Sequence, residues 1–452
     1  MRRGAPCFSL RRLSLFERAI LRAARPPIPR ESPIIPSLRF PRLHTLDAWL
    51  AYRDFRLLWL ANFCGFSGQW LQLLSIGWLV KDLSAGSGIG GLLVVSVSAL
   101  NTLPGLLVNP ITGVLGDRLD RRKLAIALQC VSAVLALGFA FLVATDYVRP
   151  WHAYAYVLIS GSCLAITQPL QQVLISNTVP RDALVNAYAI NTLTVTGTRI
   201  FGPFVGGLLI FTLGYFWNFA LEAALYLGVV LMLLPMRTPY TRTEPAEEQR
   251  RFTPLGDIKD GLLHLWRNQR EVLEIAVLSV IPNTILHPVW FLLPLFTVEM
   301  LQAQVNMGGY LLAITGVGGL LSTLTIATWG LPFRRGYILF GAAALSSLAT
   351  MLFAFSAWLP AAFTVLGAMS FFQAYFRTTQ GTLVLTIVPD RFRARTMALL
   401  AYERSFLIGV SVVVGIFADF TSASMAILAL GCLGLTATLG CFATLRRVRA
   451  LR

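Results

Sequence analysis

Arg199, Glu222, His287, Arg377, Glu403 and Arg404 each fall inside a long apolar run rather than in a polar connector. A charged side chain in hydrocarbon costs about 3 kcal/mol or more unless it is paired or faces water. Each of these positions is therefore expected to be a paired charge or a working one, with simple solvation near the cytoplasmic surface as the further alternative for Glu403 and Arg404. A carboxyl group or an imidazole can carry a proton, and histidine changes charge close to neutral pH. Exchange of protons against a solute needs such a group, with proton and solute competing for it; Glu222, Glu403 and His287 are the candidates. Arg199 and Glu222 lie on successive runs, and a structural ion pair between them is the competing expectation. For His287 the competing expectation is an imidazole bonded to a neighbouring carbonyl. Gln168, Gln171 and Gln380 add neutral hydrogen-bonding groups to the same runs.

A second concentration of charge occupies the stretch from Gly113 to Leu124, which holds Asp117, Arg118, Asp120, Arg121, Arg122 and Lys123. It separates two apolar runs with almost no room for a connector. Short basic loops resist translocation, so one reading of it is an orientation signal. The other is a charged hinge whose acid caps a helix or pairs with arginine.

The elements that must position these residues are apolar throughout. Of 452 residues, 56% are hydrophobic and only 13% are charged, and the mean hydropathy is +0.67. Soluble domains carry roughly twice that share of charge. Successive runs are long enough to cross a bilayer as helices. They fall near 57–80, 90–116, 124–145, 152–177, 184–212 and 215–235, then 272–299, 307–330, 336–356, 359–387, 396–418 and 423–445. The expected fold class is an all-α membrane protein with twelve transmembrane helices in two pseudo-symmetric six-helix halves. The expected organisation is a tail (1–50), a first half (51–235), a polar connector (236–271) and a second half (272–452).

An internal repeat supports the division. The stretch from Gln171 to Pro180 aligns with that from Gln380 to Pro389, each closing the fourth helix of its half. Repeated halves are how many secondary transporters build a central site that opens to alternate sides. Cations orient the chain. Arg121, Arg122, Lys123, Arg334, Arg335, Arg391, Arg393, Arg395, Arg446 and Arg447 lie on one side, while the opposite loops offer Lys81 and Arg149. Both termini are thereby expected in the cytoplasm, with the protein in the cell inner (plasma) membrane.

The tail is rich in arginine and proline. It reads as a disordered tail, an upstream start on a chain that begins near Asp47, an amphipathic helix on anionic lipid, or an organellar transit peptide. The net charge of +17 raises nucleic acid as a partner, but the basic residues are spread over helix ends and the tail, so no nucleic acid is expected. Cys64, Cys130, Cys163, Cys432 and Cys441 lie in apolar runs without metal spacing, and no metal or cofactor is expected. No phosphate-binding loop or Ser/His/Asp set points to an ATP-driven pump or an enzyme.

On these residues the sequence resembles the major facilitator superfamily, over roughly 50–450. The loop is similar to that family's signature G-x-x-x-D-R-x-G-R-R-x through Gly113, Asp117, Arg118, Arg121 and Arg122, with Asp120 in place of the second glycine. Gly202, Pro203, Gly206 and Gly207 resemble the GPxxGG core of a motif found in the family's antiporters. Arg377, Gln380 and Gly381 resemble its R-x-x-Q-G element. The stretches Phe55–Trp59 and Gly77–Asp82 resemble the branch of macrolide-efflux and enterobactin-exporter-type proteins. The resemblance implies that helices one, four, seven and ten line the cavity, and that Asp117 and its arginines brace the cytoplasmic side near helix eleven. The resulting expectation is a monomeric secondary transporter in the lipid bilayer, exporting a small amphipathic organic molecule, drug or siderophore-like, in exchange for protons. Uptake on the same scaffold, or a non-transporting receptor or scaffold, are the alternatives.

Overall fold

The computed structural model describes residues 47–105, 120–180, 183–239, 270–330, 334–388 and 406–451. Gly113, Asp117, Arg118, Glu403 and Arg404 lie outside the described residues, as do most of the tail and of the polar connector. The chain runs through α1 (Arg53–Leu83), α2 (Gly90–Leu100), α3 (Arg121–Ala144), α4 (Pro150–Thr178), α5 (Leu184–Leu213) and α6 (Tyr215–Leu233). The second set comprises α7 (Arg270–Val280, continuing after a break as Val289–Glu299), α8 (Val305–Trp329), α9 (Arg335–Ala354), α10 (Leu359–Ile387), α11 (Leu407–Phe420) and α12 (Ala423–Thr444). No strand occurs among the described residues.

Nine of these helices are long and apolar enough to cross a membrane, and α2 and α11 are shorter apolar helices flanked by residues outside the description. The remaining one, α1, is 31 residues long but carries Asn62, Ser67, Gln69, Gln72 and Ser75. That polar load lowers its hydropathy because α1 is an inner helix, packed on α2, α4, α5 and α6. The outer surface is the reverse of a soluble protein's. Along α3, Val131, Val134, Leu137 and Phe141 are exposed at helical spacing, a stripe that only lipid covers well. Threonine and serine hydroxyls turn back on the helix itself, as Thr167 does to the Cys163 carbonyl at 2.8 Å, which keeps polar atoms satisfied without water.

An even number of passes brings residues 47 and 451 to one face of the bundle, here the terminal face; the turns after α1, α3, α5, α7, α9 and α11 form the distal face. Near the terminal face each half has its own core. Phe55, Leu174, Val229 and Met236 cluster in the first half, and Val272, Leu339, Phe376 and Val384 in the second. Towards the distal face a single cluster spans both, joining Leu74, Trp78, Val95 and Ile210 to Phe291, Phe296, Leu311 and Leu430. Two glycine contacts let the halves approach there. A Cβ on Gly207 of α5 would lie 2.9 Å from Gly309 Cα of α8, and one on Gly415 of α11 would lie 2.8 Å from Leu92 Cα of α2.

The basic loop ends in a working cap. Asp120 precedes α3 and accepts from the Arg122 and Lys123 backbone N–H groups at 3.0 and 3.3 Å. This accounts for the acid at the signature's second glycine: it satisfies the orphan donors that begin the helix. Arg122 reaches α6, donating Nε–H to the Leu233 carbonyl at 2.8 Å and Nη2–H to the Leu234 carbonyl. A cation at the carbonyl end of a helix is favourably placed for both hydrogen bonding and the helix dipole.

Candidate functional site: a mid-membrane seam between the halves

Arg199 sits halfway along α5, on the face turned towards α8. Its Nε–H donates to Thr315 Oγ1 across the seam at 3.4 Å. The guanidinium lies 4.4 Å over the Trp290 ring of α7 and 5.5 Å from the Trp70 ring of α1. Gly316 makes room for this approach, since a Cβ there would stand 2.6 Å from Ile200 Cγ1. Arg377, on α10, is near enough for its positive charge to act on Arg199. Helices from both halves thus place aromatic and cationic groups around one point.

His287 borders the same point. Pro282 and Pro288 sit at the break in α7, and residues Ile281–Ile285 form one π-helical turn in which the Leu286 N–H reaches back to the Ile281 carbonyl at 3.0 Å. Proline lacks the N–H that would continue the ladder, and His287 lies in the resulting break. Its ring stands 4.5 Å from Trp290 and 5.5 Å from Phe291. Trp290 therefore contacts both His287 and Arg199. Gln380 is buried and accepts from Asn283 of the π turn at 3.5 Å.

Glu222 is elsewhere. It is fully buried within the first half, where Tyr156 of α4 donates to its Oε1 at 2.7 Å and Tyr226 lies beside it. Phe139 stacks on Tyr156 at 4.6 Å and meets Phe219 edge-on at 4.8 Å. Gln72 of α1 donates to Ser160 at 2.7 Å in the same layer. The ion pair expected between Arg199 and Glu222 is not formed: one side chain turns outward to the seam, and the other turns inward to α1 and α4. No cation contacts Glu222 among the described residues.

The glutamines divide. Gln171 is buried and packs on α1, where a Cβ at Gly65 would lie 3.6 Å from its Nε2; Gln168 is exposed. In the GPxxGG stretch, Gly202 and Gly206 admit Trp70 and Leu71 of α1, while Pro203 and Gly207 meet Gly309. Asn218 of α6 fastens this junction, donating to the Gly206 carbonyl at 3.0 Å and accepting from Ser75 at 2.7 Å. The motif acts here as packing between helices. Sequence reasoning missed Trp70, Trp290 and Tyr156, because aromatic residues in apolar runs look like core or membrane-belt residues. Nor did it single out Asp419, at the end of α11. Asp419 accepts from the Gly91 and Leu92 N–H groups at 2.5 and 2.8 Å, capping the start of α2 from the opposite half.

Comparisons with known proteins agree with this architecture. A nucleoside transporter of known structure superposes with a TM-score of 0.66 at 16% identity, covering 86% of this chain and 98% of that one. The chain is 22% identical to a Na(+), Li(+), K(+)/H(+) antiporter of Planococcus maritimus, over 69% of this chain and 77% of that protein. It is 26% identical to an enterobactin exporter of Escherichia coli, over 76% and 80% respectively. The family described as transmembrane secretion effector matches residues 46–451. The chain belongs to that family: it is an integral membrane transporter of the major facilitator superfamily, not an enzyme.

Proposed function

We propose that the protein exports a small amphipathic organic molecule in exchange for protons, by alternating access, with both termini in the cytoplasm. The observation that carries this reading is the one-sided seam: the halves share a core towards the distal face and keep separate cores at the terminal face. Arg199, Trp290 and His287 lie between those two regions. In this orientation the described conformation is closed to the outside. Turnover then requires the distal contacts to part and the terminal ends of the halves to approach, the charged loop with Asp117, Arg118 and Arg121 serving as the gate on the cytoplasmic side. The names of the relatives, an exporter and a cation/proton antiporter, support the direction and the coupling.

Glu222 is the group assigned to the proton. A carboxylate buried without a cation is strongly disfavoured, so proton occupancy and the packing around Tyr156 are linked. The test has two parts. Gene deletion and overexpression against a panel of drugs and siderophores should shift susceptibility in opposite directions; accumulation of a panel compound on overexpression would instead indicate uptake. In proteoliposomes, Glu222→Gln should cut pH-driven efflux by about tenfold or more, equivalent to roughly 1.4 kcal/mol in the barrier. Substrate exchange without a gradient should persist. Efflux indifferent to an imposed pH gradient removes the proton from the proposal.

A further inference from the structure

We propose that the seam around Arg199 is an anion-binding site, and that the cargo is a carboxylate-bearing organic anion with a flat apolar body. Calling the ligand the cargo rests on the transport reading above; the binding chemistry rests on the geometry alone. A guanidinium has five N–H donors, and Arg199 spends one, on a long bond to Thr315. Its other contacts are the Trp70 and Trp290 rings, and no carboxylate pairs with it among the described residues. An arginine in mid-membrane without a counter-ion is costly, and the neighbouring charge of Arg377 adds repulsion rather than relief. An anion entering the seam would offset both.

The walls select the anion's shape and chemistry. Trp290 is 7% exposed, and its indole N–H has no hydrogen-bond partner, so the site holds an unused donor beside the guanidinium's own. The planar guanidinium fork matches a carboxylate with two parallel N–H···O bonds. The half-buried Trp70 ring beside the guanidinium is a broad apolar surface against which a flat body can pack. Because α5 supplies the arginine from one half, and α7 and α8 supply Trp290 and Thr315 from the other, an anion held here bridges the two halves.

The test uses the full-length protein in nanodiscs without a gradient, with salicylate as the probe and salicylamide as its neutral counterpart, binding being read by calorimetry. Wild type should bind salicylate and discriminate against the amide. Arg199→Gln should weaken salicylate binding roughly tenfold or more, the loss expected for a charge-assisted hydrogen bond, and Arg199→Lys should recover part of it. Trp290→Phe, which keeps a six-membered aromatic ring and removes the indole N–H, should weaken binding with Arg199 intact and guards against a misfolded Arg199 variant. Equal binding of acid and amide, undiminished binding by Arg199→Gln, or no binding of salicylate by wild type would overturn the anion site. Since no gradient is applied, failure of proton coupling leaves these results standing. Conversely, a transporter that exports in the susceptibility panel while Arg199→Gln binds salicylate normally refutes the anion site alone.

Discussion

At Glu222 the Tyr156 hydroxyl, with Tyr226 beside it, holds a fully buried carboxyl group. Removing a partner from a buried polar group costs about 1–3 kcal/mol. Tyr156→Phe should therefore lower the thermal stability of the detergent-solubilised protein, and Tyr156→Phe combined with Glu222→Gln should restore part of it. A double variant no more stable than Tyr156→Phe alone would mean that the two side chains do not act as a unit. Arg199 follows different rules, since its contacts are faces of rings and a hydroxyl from the other half. Charge in an apolar run was enough to single out both residues from the sequence. Their partners were not legible there, because partner choice depends on which way each helix is rotated. Asp120 shows the same limit at short range: the substitution was visible, and its capping role needed the backbone of α3.

At the scale of elements, the helix bounds were legible for most described helices, while the expected stretches 106–116 and 396–405 lie outside the described residues. The runs expected at 152–177 and 359–387 appear as Pro150–Thr178 and Leu359–Ile387, because a lipid-facing helix must be apolar for its whole length. The contact between α2 and α11 was not legible, for it joins residues far apart in the chain. There Asp419 supplies a carboxylate to the open N–H groups at the start of α2, an arrangement favoured by the positive end of the helix dipole. It ties the distal ends of the two halves together, so on the proposed alternating-access cycle it must release when that side opens. Asp419→Ala should favour distal opening by about 1.5–3 kcal/mol, the range for a lost hydrogen bond to a charged group. In a cysteine-free background carrying Ser98→Cys, which lines the distal cleft with Trp78 and Trp290, modification by an impermeant thiol reagent from the distal face should rise accordingly. An unchanged rate would make Asp419 a static cap.

For the whole molecule, the central claim is that two halves rock about the seam between α5 and α8, sealing one face while the other opens. Packed glycines at Gly207 and Gly309 give that seam a close contact on which the halves can tilt, and Arg199 and Trp290 sit where tilting changes access. Paired spin labels measure this motion directly in a cysteine-free background of the full-length protein. One pair, at exposed Ser87 and Thr421, spans the distal face; the other, at exposed Arg237 and Thr444, spans the terminal face. Between acid and alkaline buffer, the account predicts that the two distance distributions shift in opposite directions, one lengthening as the other shortens, and that Glu222→Gln abolishes the pH response. Distances that lengthen or shorten together, or that ignore pH in the wild-type protein, would contradict it.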